Sequence, residues 1–152
     1  MDPRANQRYL EGEGGDKKTR LVVGCVPIDI KSRMVCLIQR DQLKHPGEWI
    51  FPKGGWEFGE SEIEGAKREV MEEAGLLGDV TDMIGEKLFH NDVSKRSTYW
   101  KIFIMHVTDV LDDWPEKSTK ERRWFTMDDA VAACGDRGLE EWIRKAFEMS
   151  LV

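Results

Sequence analysis

Between Gly54 and Leu76 the chain reads Gly-Gly-Trp-Glu-Phe-Gly-Glu, then seven residues to Lys67, then Arg-Glu-Val-Met-Glu-Glu-Ala-Gly-Leu. Ser61-x-x-Glu64 has the form of a capping box, so a helix is expected to begin near Glu62. Gly75 suits the left-handed stop after Ala74. At about 100° per residue, Ile63, Ala66, Val70 and Ala74 fall on one stripe, which is expected to face a core. Glu69, Glu72 and Glu73 fall together, roughly 110° round from it. Like charges at i, i+3 and i+4 weaken an isolated helix by a few tenths of a kcal/mol per pair, roughly. An uncompensated cluster of this kind implies a missing cation. The donors are hard oxygens, which favours Mg²⁺ or Mn²⁺ over zinc.

A solvated acidic face is the ordinary meaning of a glutamate run. The spacing argues otherwise. Glycine, five residues, glutamate, seven residues, then Arg-Glu-apolar-x-Glu-Glu-x-Gly-apolar is matched without a gap. If seven fixed positions each match at about one in fifteen, coincidence is on the order of one in 10⁸. The segment resembles the Nudix box, the signature of the Nudix hydrolases, across its whole length. That resemblance implies hydrolysis of a diphosphate linked to some other group. It also implies a Nudix-type α/β/α sandwich with a mixed β-sheet. By position, Glu69 and Glu73 are the expected metal ligands and Glu72 the general base. Arg68 steadies the carboxylates by ion pairing. Glu60 orients the box loop or reaches the metal through water. The backbone at Lys53, beside Gly54 and Gly55, is placed to offer a carbonyl ligand, because glycine allows close approach.

The rest of the chain is consistent with one α/β domain. Its 152 residues are enough to bury a core. Residues 1–16 are polar and glycine-rich and read as a flexible N-terminal arm; 17–152 read as a single domain. Strands are expected at Leu21 to Ile30, Met34 to Gln39, Trp49 to Phe51, Asp79 to Phe89, Thr98 to Val110 and Arg122 to Phe125. Thr98 to Val110 is apolar on both faces in its middle and is expected to be central. Thr126 is placed to cap a short helix ending by Gly135, and Leu139, Trp142, Ile143, Ala146 and Phe147 mark a C-terminal helix. Strands mixed with helices in this order imply an α/β sandwich.

Composition narrows the function classes. Net charge is -6, which argues against broad nucleic-acid binding but not against a local basic pocket. No apolar run is long enough to span a bilayer, and no signal-peptide core is visible, so no membrane partner is expected. Cys25, Cys36 and Cys134 form neither a zinc pattern nor a disulfide framework, and the expected compartment is the cytosol or the nucleus. Cys25 and Cys36 are expected in the core. His45, His90 and His106 are isolated and read as structural or surface residues. Tyr99 and Trp100 read as core, with one of them able to stack on a base.

Substrate information lies outside the box. Arg8-Tyr9 with its acidic-glycine flank, Lys17-Lys18-Thr19-Arg20, His45-Pro46-Gly47-Glu48-Trp49-Ile50, Thr98-Tyr99, Val110 to Trp114, and Arg122 to Phe125 followed by Asp128-Asp129-Ala130 resemble one branch, the diphosphoinositol polyphosphate phosphohydrolases. The chain departs from that branch at Lys53, where many members carry glycine, and after Gly135. The resemblance implies a Mg²⁺-dependent hydrolase that removes the β-phosphate of a diphosphate on an inositol ring. Members often also accept diadenosine polyphosphates, inorganic polyphosphate or capped RNA. A ring crowded with phosphates needs many cations and little apolar surface. Arg8, Lys17, Lys18, Arg20, Arg40, Lys44, Lys53, Lys95, Arg96 and Lys120 are the candidates, with arginines able to grip phosphate bidentately. Two other readings compete. One is a nucleotide-centred Nudix pyrophosphohydrolase acting on dinucleoside polyphosphates or an mRNA cap, recognisable by two aromatics facing the cleft. The other is a non-catalytic polyphosphate-binding protein, against which the intact glutamates argue.

Overall fold

The computed structural model describes residues 9–10, 19–40, 42–135 and 138–151, with side chains from residue 19 onward. Arg8, Lys17 and Lys18 lie outside the described residues. The strands are β1 (Tyr9–Leu10), β2 (Thr19–Asp29), β3 (Met34–Gln39), β4 (Trp49–Ile50), β5 (Lys53–Gly55), β6 (Leu76–Asn91), β7 (Arg96–Val110) and β8 (Arg122–Phe125). The helices are α1 (Glu62–Ala74), α2 (Met127–Ala133) and α3 (Leu139–Ser150). Among the described residues, no helix is long and apolar enough to cross a membrane.

All strands join one mixed sheet built around β2, which pairs with β1, β3 and β5 antiparallel and with β7 parallel. The near-continuous apolar run of β2 accounts for this position, because a strand covered on both faces has no solvent side to keep polar. Gly24 lets the neighbouring chain lie close, since a Cβ there would strike the Pro52 carbonyl and Lys53. The strand expected at Thr98 to Val110 is indeed paired on both sides, as β7 between β2 and β6. Tyr9–Leu10, within the segment read as an arm, pair with Arg20 and Thr19. Strand β6 is longer than its sequence pattern suggests. Its register shifts at Leu77/Gly78, Val80/Met83 and Met83/Gly85, and such bulges interrupt any regular in–out alternation along it.

Helix α1 begins and ends where its sequence signals place it. The Ser61 side chain accepts from the Glu64 N–H at 3.0 Å, and Gly75 closes the helix in the left-handed region at φ 64°. The expected stripe is buried at Ala66, Val70 and Ala74, but the buried face as a whole is wider and shifted. It comprises Gly65, Ala66, Glu69, Val70, Glu73 and Ala74, while Ile63 is 44% exposed. The face is turned so that two glutamates point inward over β5, and the acidic cluster is not a separate solvated side.

The C-terminal end of α1 has no basic residue of its own, and distant residues supply its caps. Arg122 donates to the carbonyls of Ala74 and Leu111, each at 2.8 Å, and the Trp114 indole N–H donates to the Glu73 carbonyl at 3.2 Å. The Arg122 guanidinium also lies 3.9 Å from the Trp114 ring centroid. Gly75→Ala is expected to be severe, because the φ is left-handed and the new Cβ would lie 2.7 Å from the Trp114 ring. Strain of about 1–2 kcal/mol and overpacking of about 1–3 kcal/mol add. A fall in melting temperature of roughly 5–15 °C is expected from those terms. A melting curve within 2 °C or so of wild type would refute this account of the helix end.

The other face of the sheet carries α3, whose Leu139, Ile143, Ala146 and Phe147 are buried. Trp142 is half-buried and packs against Phe51 and Trp100, with centroids 6.1 and 6.5 Å away. Thr126 caps α2, accepting from the Asp129 N–H. Cys25, Cys36 and Cys134 are free and buried. Burial holds their thiols protonated, with Cys36 and Cys134 each pushed up to about 12, so they serve as core residues.

Candidate active site

Arg68 is the hub of the acidic helix face. Its guanidinium reaches Glu60 at 2.7 and 3.0 Å, Glu69 at 2.7 Å and Glu72 at 3.3 Å, and donates to the Gly55 carbonyl at 2.9 Å. The hydrogen bond to Glu60, and then that to Glu69, raise its pKa further above the ordinary arginine range, against the cost of burial. Burial alone would raise the Glu60 pKa, but the Arg68 hydrogen bond and the Glu57 backbone N–H hold it below the usual value. The cluster is therefore not uncompensated, contrary to the sequence expectation. Its internal counter-ions are Arg68 and, for Glu73, Lys120 at 3.2 Å.

Two of the glutamates are buried. Glu69 is 8% exposed and Glu73 5%. Burial pushes the Glu69 carboxyl up to about 7, opposed by the Arg68 hydrogen bond and assisted by repulsion from Glu73 and Glu72. Burial also raises Glu73, opposed by Lys120 and Lys53. Glu73 Oε1 accepts the Lys53 backbone N–H at 2.7 Å, which leaves Oε2 toward Lys120. Gly54 lies directly under Glu69, where a Cβ would occupy the space of its carboxylate. Gly54 and Gly55 thus seat the glutamates and Arg68 against β5.

A cationic cavity of about 240 Å³ opens beside Glu73, lined among others by Arg40, Lys44, Lys53 and Lys120. Lys53 as a residue is only half-buried, but its ammonium end is the desolvated part, 4.5 Å from the centroid of the Trp100 ring. Burial lowers its pKa to about 8; Glu73 opposes the shift, and Arg40, Lys120 and Arg20 add to it. Three further cations thus act on Lys53 against a single carboxylate. The Nε of Arg20 is buried with no hydrogen-bond partner among the described residues. A second cavity of about 360 Å³ shares Arg40 and is lined by Arg96, His90, Thr98, Phe89 and Trp100.

The structure therefore brings Arg20, Arg40, Lys44, Lys53 and Lys120 together and sets Arg96 in the adjoining cavity. Lys95 does not join them. It is exposed in the β6–β7 turn at φ 59° and lines neither cavity. His45 and His90, read as structural or surface residues, each line one of the cavities. His45 pairs with Glu48 at 3.1 Å, and His90 with the Ser97 hydroxyl at 2.7 Å. His106 pairs with the Ser150 hydroxyl at 3.1 Å, a structural contact. The positioning roles of Trp114 and Arg122 were missed, because their partners lie 41 and 48 residues away in sequence and no local pattern marks them.

A divalent metal fits this donor set. Glu69 and Glu73 are hard oxygen donors one helical turn apart, both held out of water. A nearby cation would relieve the burial that keeps their pKa values up. Among the described residues, no three His, Cys, Asp or Glu side chains converge on one point. A metal here would take these two carboxylates and complete its shell with water and substrate phosphate, as Mg²⁺ commonly does.

The NUDIX domain model matches residues 18–146. Nudix hydrolase 17, mitochondrial, of Arabidopsis thaliana is 36% identical over 96% of this chain and 78% of its own length. Diphosphoinositol polyphosphate phosphohydrolase 2 of Mus musculus is 34% identical over 66% of this chain and 61% of its own. A solved structure, a NUDIX hydrolase from Nitrosomonas europaea, superposes with a TM-score of 0.72 at 19% identity, covering 88% of this chain and 92% of that one. Nudix hydrolases generally use divalent metals such as Mg²⁺ and act on phosphorylated small molecules. With its α/β/α sandwich, its mixed sheet and its carboxylates seated over β5, this chain belongs to the Nudix hydrolase family.

Proposed function

We propose that this Nudix hydrolase uses Mg²⁺ to remove the β-phosphate from diphosphoinositol polyphosphates, and that it also cleaves diadenosine polyphosphates. The observation that carries the reading is the convergence of Arg20, Arg40 and Lys120 on Lys53, beside Glu73. An anion that satisfies so many cations in so small a space carries dense charge and little apolar surface. Glu69 and Glu73 would hold the metal. When bound, it neutralises diphosphate oxygens and lowers the pKa of a water. Arg68 fixes Glu69 and Glu60 in place. Glu72, at the rim of the site, takes the proton from the attacking water. The cations around Lys53 hold the phosphates that do not react. Three buried free thiols support a cytosolic or nuclear location.

A nucleotide-centred enzyme needs a slot for a base. Phe89 and Trp100 both face the second cavity, but their centroids are 4.5 Å apart. A base between two rings requires about 7 Å, twice the contact distance. The pair packs on itself, which favours the inositol reading.

Turnover of inositol pyrophosphates, diadenosine polyphosphates and capped RNA at matched ionic strength tests the proposal. The highest kcat/KM is expected on an inositol pyrophosphate. A capped RNA or dinucleotide preferred by tenfold or so would overturn it. Activity is also expected to vanish with chelator and return with Mg²⁺ or Mn²⁺. Full activity in chelator would remove the metal assignment.

A further inference from the structure

Lys120 has two possible employers. Its ammonium lies 3.2 Å from Glu73 Oε2, the carboxylate oxygen not used by the Lys53 N–H. It also lines the cationic cavity with Arg40, Lys44 and Lys53. The Glu73 side chain is 7% exposed and fixed; that of Lys120 is 36% exposed, with solvent on one side. The segment carrying Lys120 is tied to the catalytic helix. The Glu116 N–H donates to the Glu72 carbonyl at 3.0 Å, and the Lys120 N–H donates to the Glu116 carbonyl at 3.4 Å. Glu73 lines the same cavity, so the Lys120 ammonium stands at both the Glu73 carboxylate and the cluster of cations.

We propose that Lys120 is a displaceable counter-ion that couples metal binding to phosphate binding. This rests on the functional reading above and assigns the order of events within it. Without metal, Lys120 neutralises the buried Glu73 carboxylate, a charge that is costly to leave unpaired. A metal ion on Glu73 takes over that role and repels the ammonium. Lys120 then turns from Glu73 toward the other cations of the cavity and grips a substrate phosphate as a point charge. The metal and the polyphosphate therefore favour each other through this chain's own lysine, and the coupling is reciprocal. Arg40 and Lys53 lack this double ion-pairing duty. Arg40 pairs with Glu48 at 3.6 Å, and Lys53, though its charge also acts on Glu73, bonds that carboxylate only through its backbone N–H.

Two binding measurements on Lys120→Met and Lys120→Arg test the relay without turnover. By Mn²⁺ titration with electron paramagnetic resonance, Lys120→Met is expected to bind the metal roughly 5–10-fold tighter than wild type, having lost its competitor. Lys120→Arg should stay within about twofold, since it keeps the charge. Equal or weaker Mn²⁺ binding by the methionine variant, with an unchanged melting temperature, overturns the competition. The second measurement is calorimetric affinity for inositol hexakisphosphate, which has no diphosphate to cleave. Lys120→Met is expected to weaken it about 5–10-fold in saturating Mg²⁺ and less than about twofold in chelator, where the wild-type lysine is held by Glu73. The same loss in both conditions overturns the relay and leaves an ordinary phosphate contact. Failure of the wild-type protein to bind the hexakisphosphate in Mg²⁺ overturns the polyphosphate reading itself, a result distinct from either variant outcome.

Discussion

Glu72→Gln is expected to lower kcat by about 10²–10⁴-fold, the usual contribution of a general base, while leaving the fold intact. The geometry separates the two effects. The Glu72 side chain is 34% exposed, and its one ion pair among the described residues, to Arg68 at 3.3 Å, is the longest of the four hydrogen bonds from that guanidinium to carboxylate oxygens. A neutral amide can keep accepting from Arg68. Surface changes of this type alter stability by about 0.5 kcal/mol or less. The melting temperature should therefore shift by no more than a degree or two or so. Steady-state kinetics in Mg²⁺, set beside a thermal melt of the same sample, decide the matter. A variant within threefold or so of wild-type kcat would move the base elsewhere, and Glu121 is the next carboxylate to try. It flanks Lys120 and pairs only with Arg123, at 3.3 Å, among the described residues.

What could be read from the chain alone follows the range of the forces involved. Helix α1 was legible to the residue because Ser61 and Gly75 act on backbone groups three or four positions away. Strand β3 was legible for a similar reason, as a short apolar run following a turn. The direction in which α1 faces was legible only in part: Ala66, Val70 and Ala74 of the expected stripe are buried, but the inward turn of two glutamates was not foreseen. Its stripe of Ile63, Ala66, Val70 and Ala74 is sound as periodicity, yet Ile63 is exposed and Glu69 and Glu73 are inside. Contacts far away in sequence made that choice. Gly54 opens space for the Glu69 carboxylate, the Lys53 N–H satisfies Glu73, and Lys120 neutralises it from the segment before β8. The cations show the same limit. Their number suggested a polyphosphate, but only the fold sorts Arg20, Arg40, Lys53 and Lys120 from the exposed Lys95.

Glu69→Gln is expected to make the metal-free protein more stable and the enzyme nearly inactive. The stability half follows from burial. The Glu69 carboxyl is 8% exposed and is pushed up to about 7 from an ordinary 4.5, first by desolvation and then by Glu73 and Glu72. A folded-state value above the unfolded one means that the folded protein binds more protons between pH 4.5 and 7. This group's contribution to stability is therefore greatest below pH 4.5, falls as pH rises toward 7, and is flat above it. The ionised carboxylate costs the metal-free fold on the order of 1–3 kcal/mol at pH 7.5. Glutamine removes that cost and still accepts from Arg68. In chelator at pH 7.5 the variant should melt several degrees higher than wild type, roughly 2–4 °C per kcal/mol. The gap should close as pH falls toward 5. The activity half follows from the same charge. A neutral amide is a poor ligand for a hard cation, and losing several kcal/mol of electrostatic stabilisation lowers the rate by on the order of 10²–10³-fold. The wild-type affinity for Mn²⁺ should rise with pH up to about 7 and then level, because the ligand must be deprotonated. A variant that melts lower than wild type in chelator at pH 7.5 would show that Arg68 more than offsets the burial of Glu69. The tension between a stable helix and a functional one would then not reside at this residue.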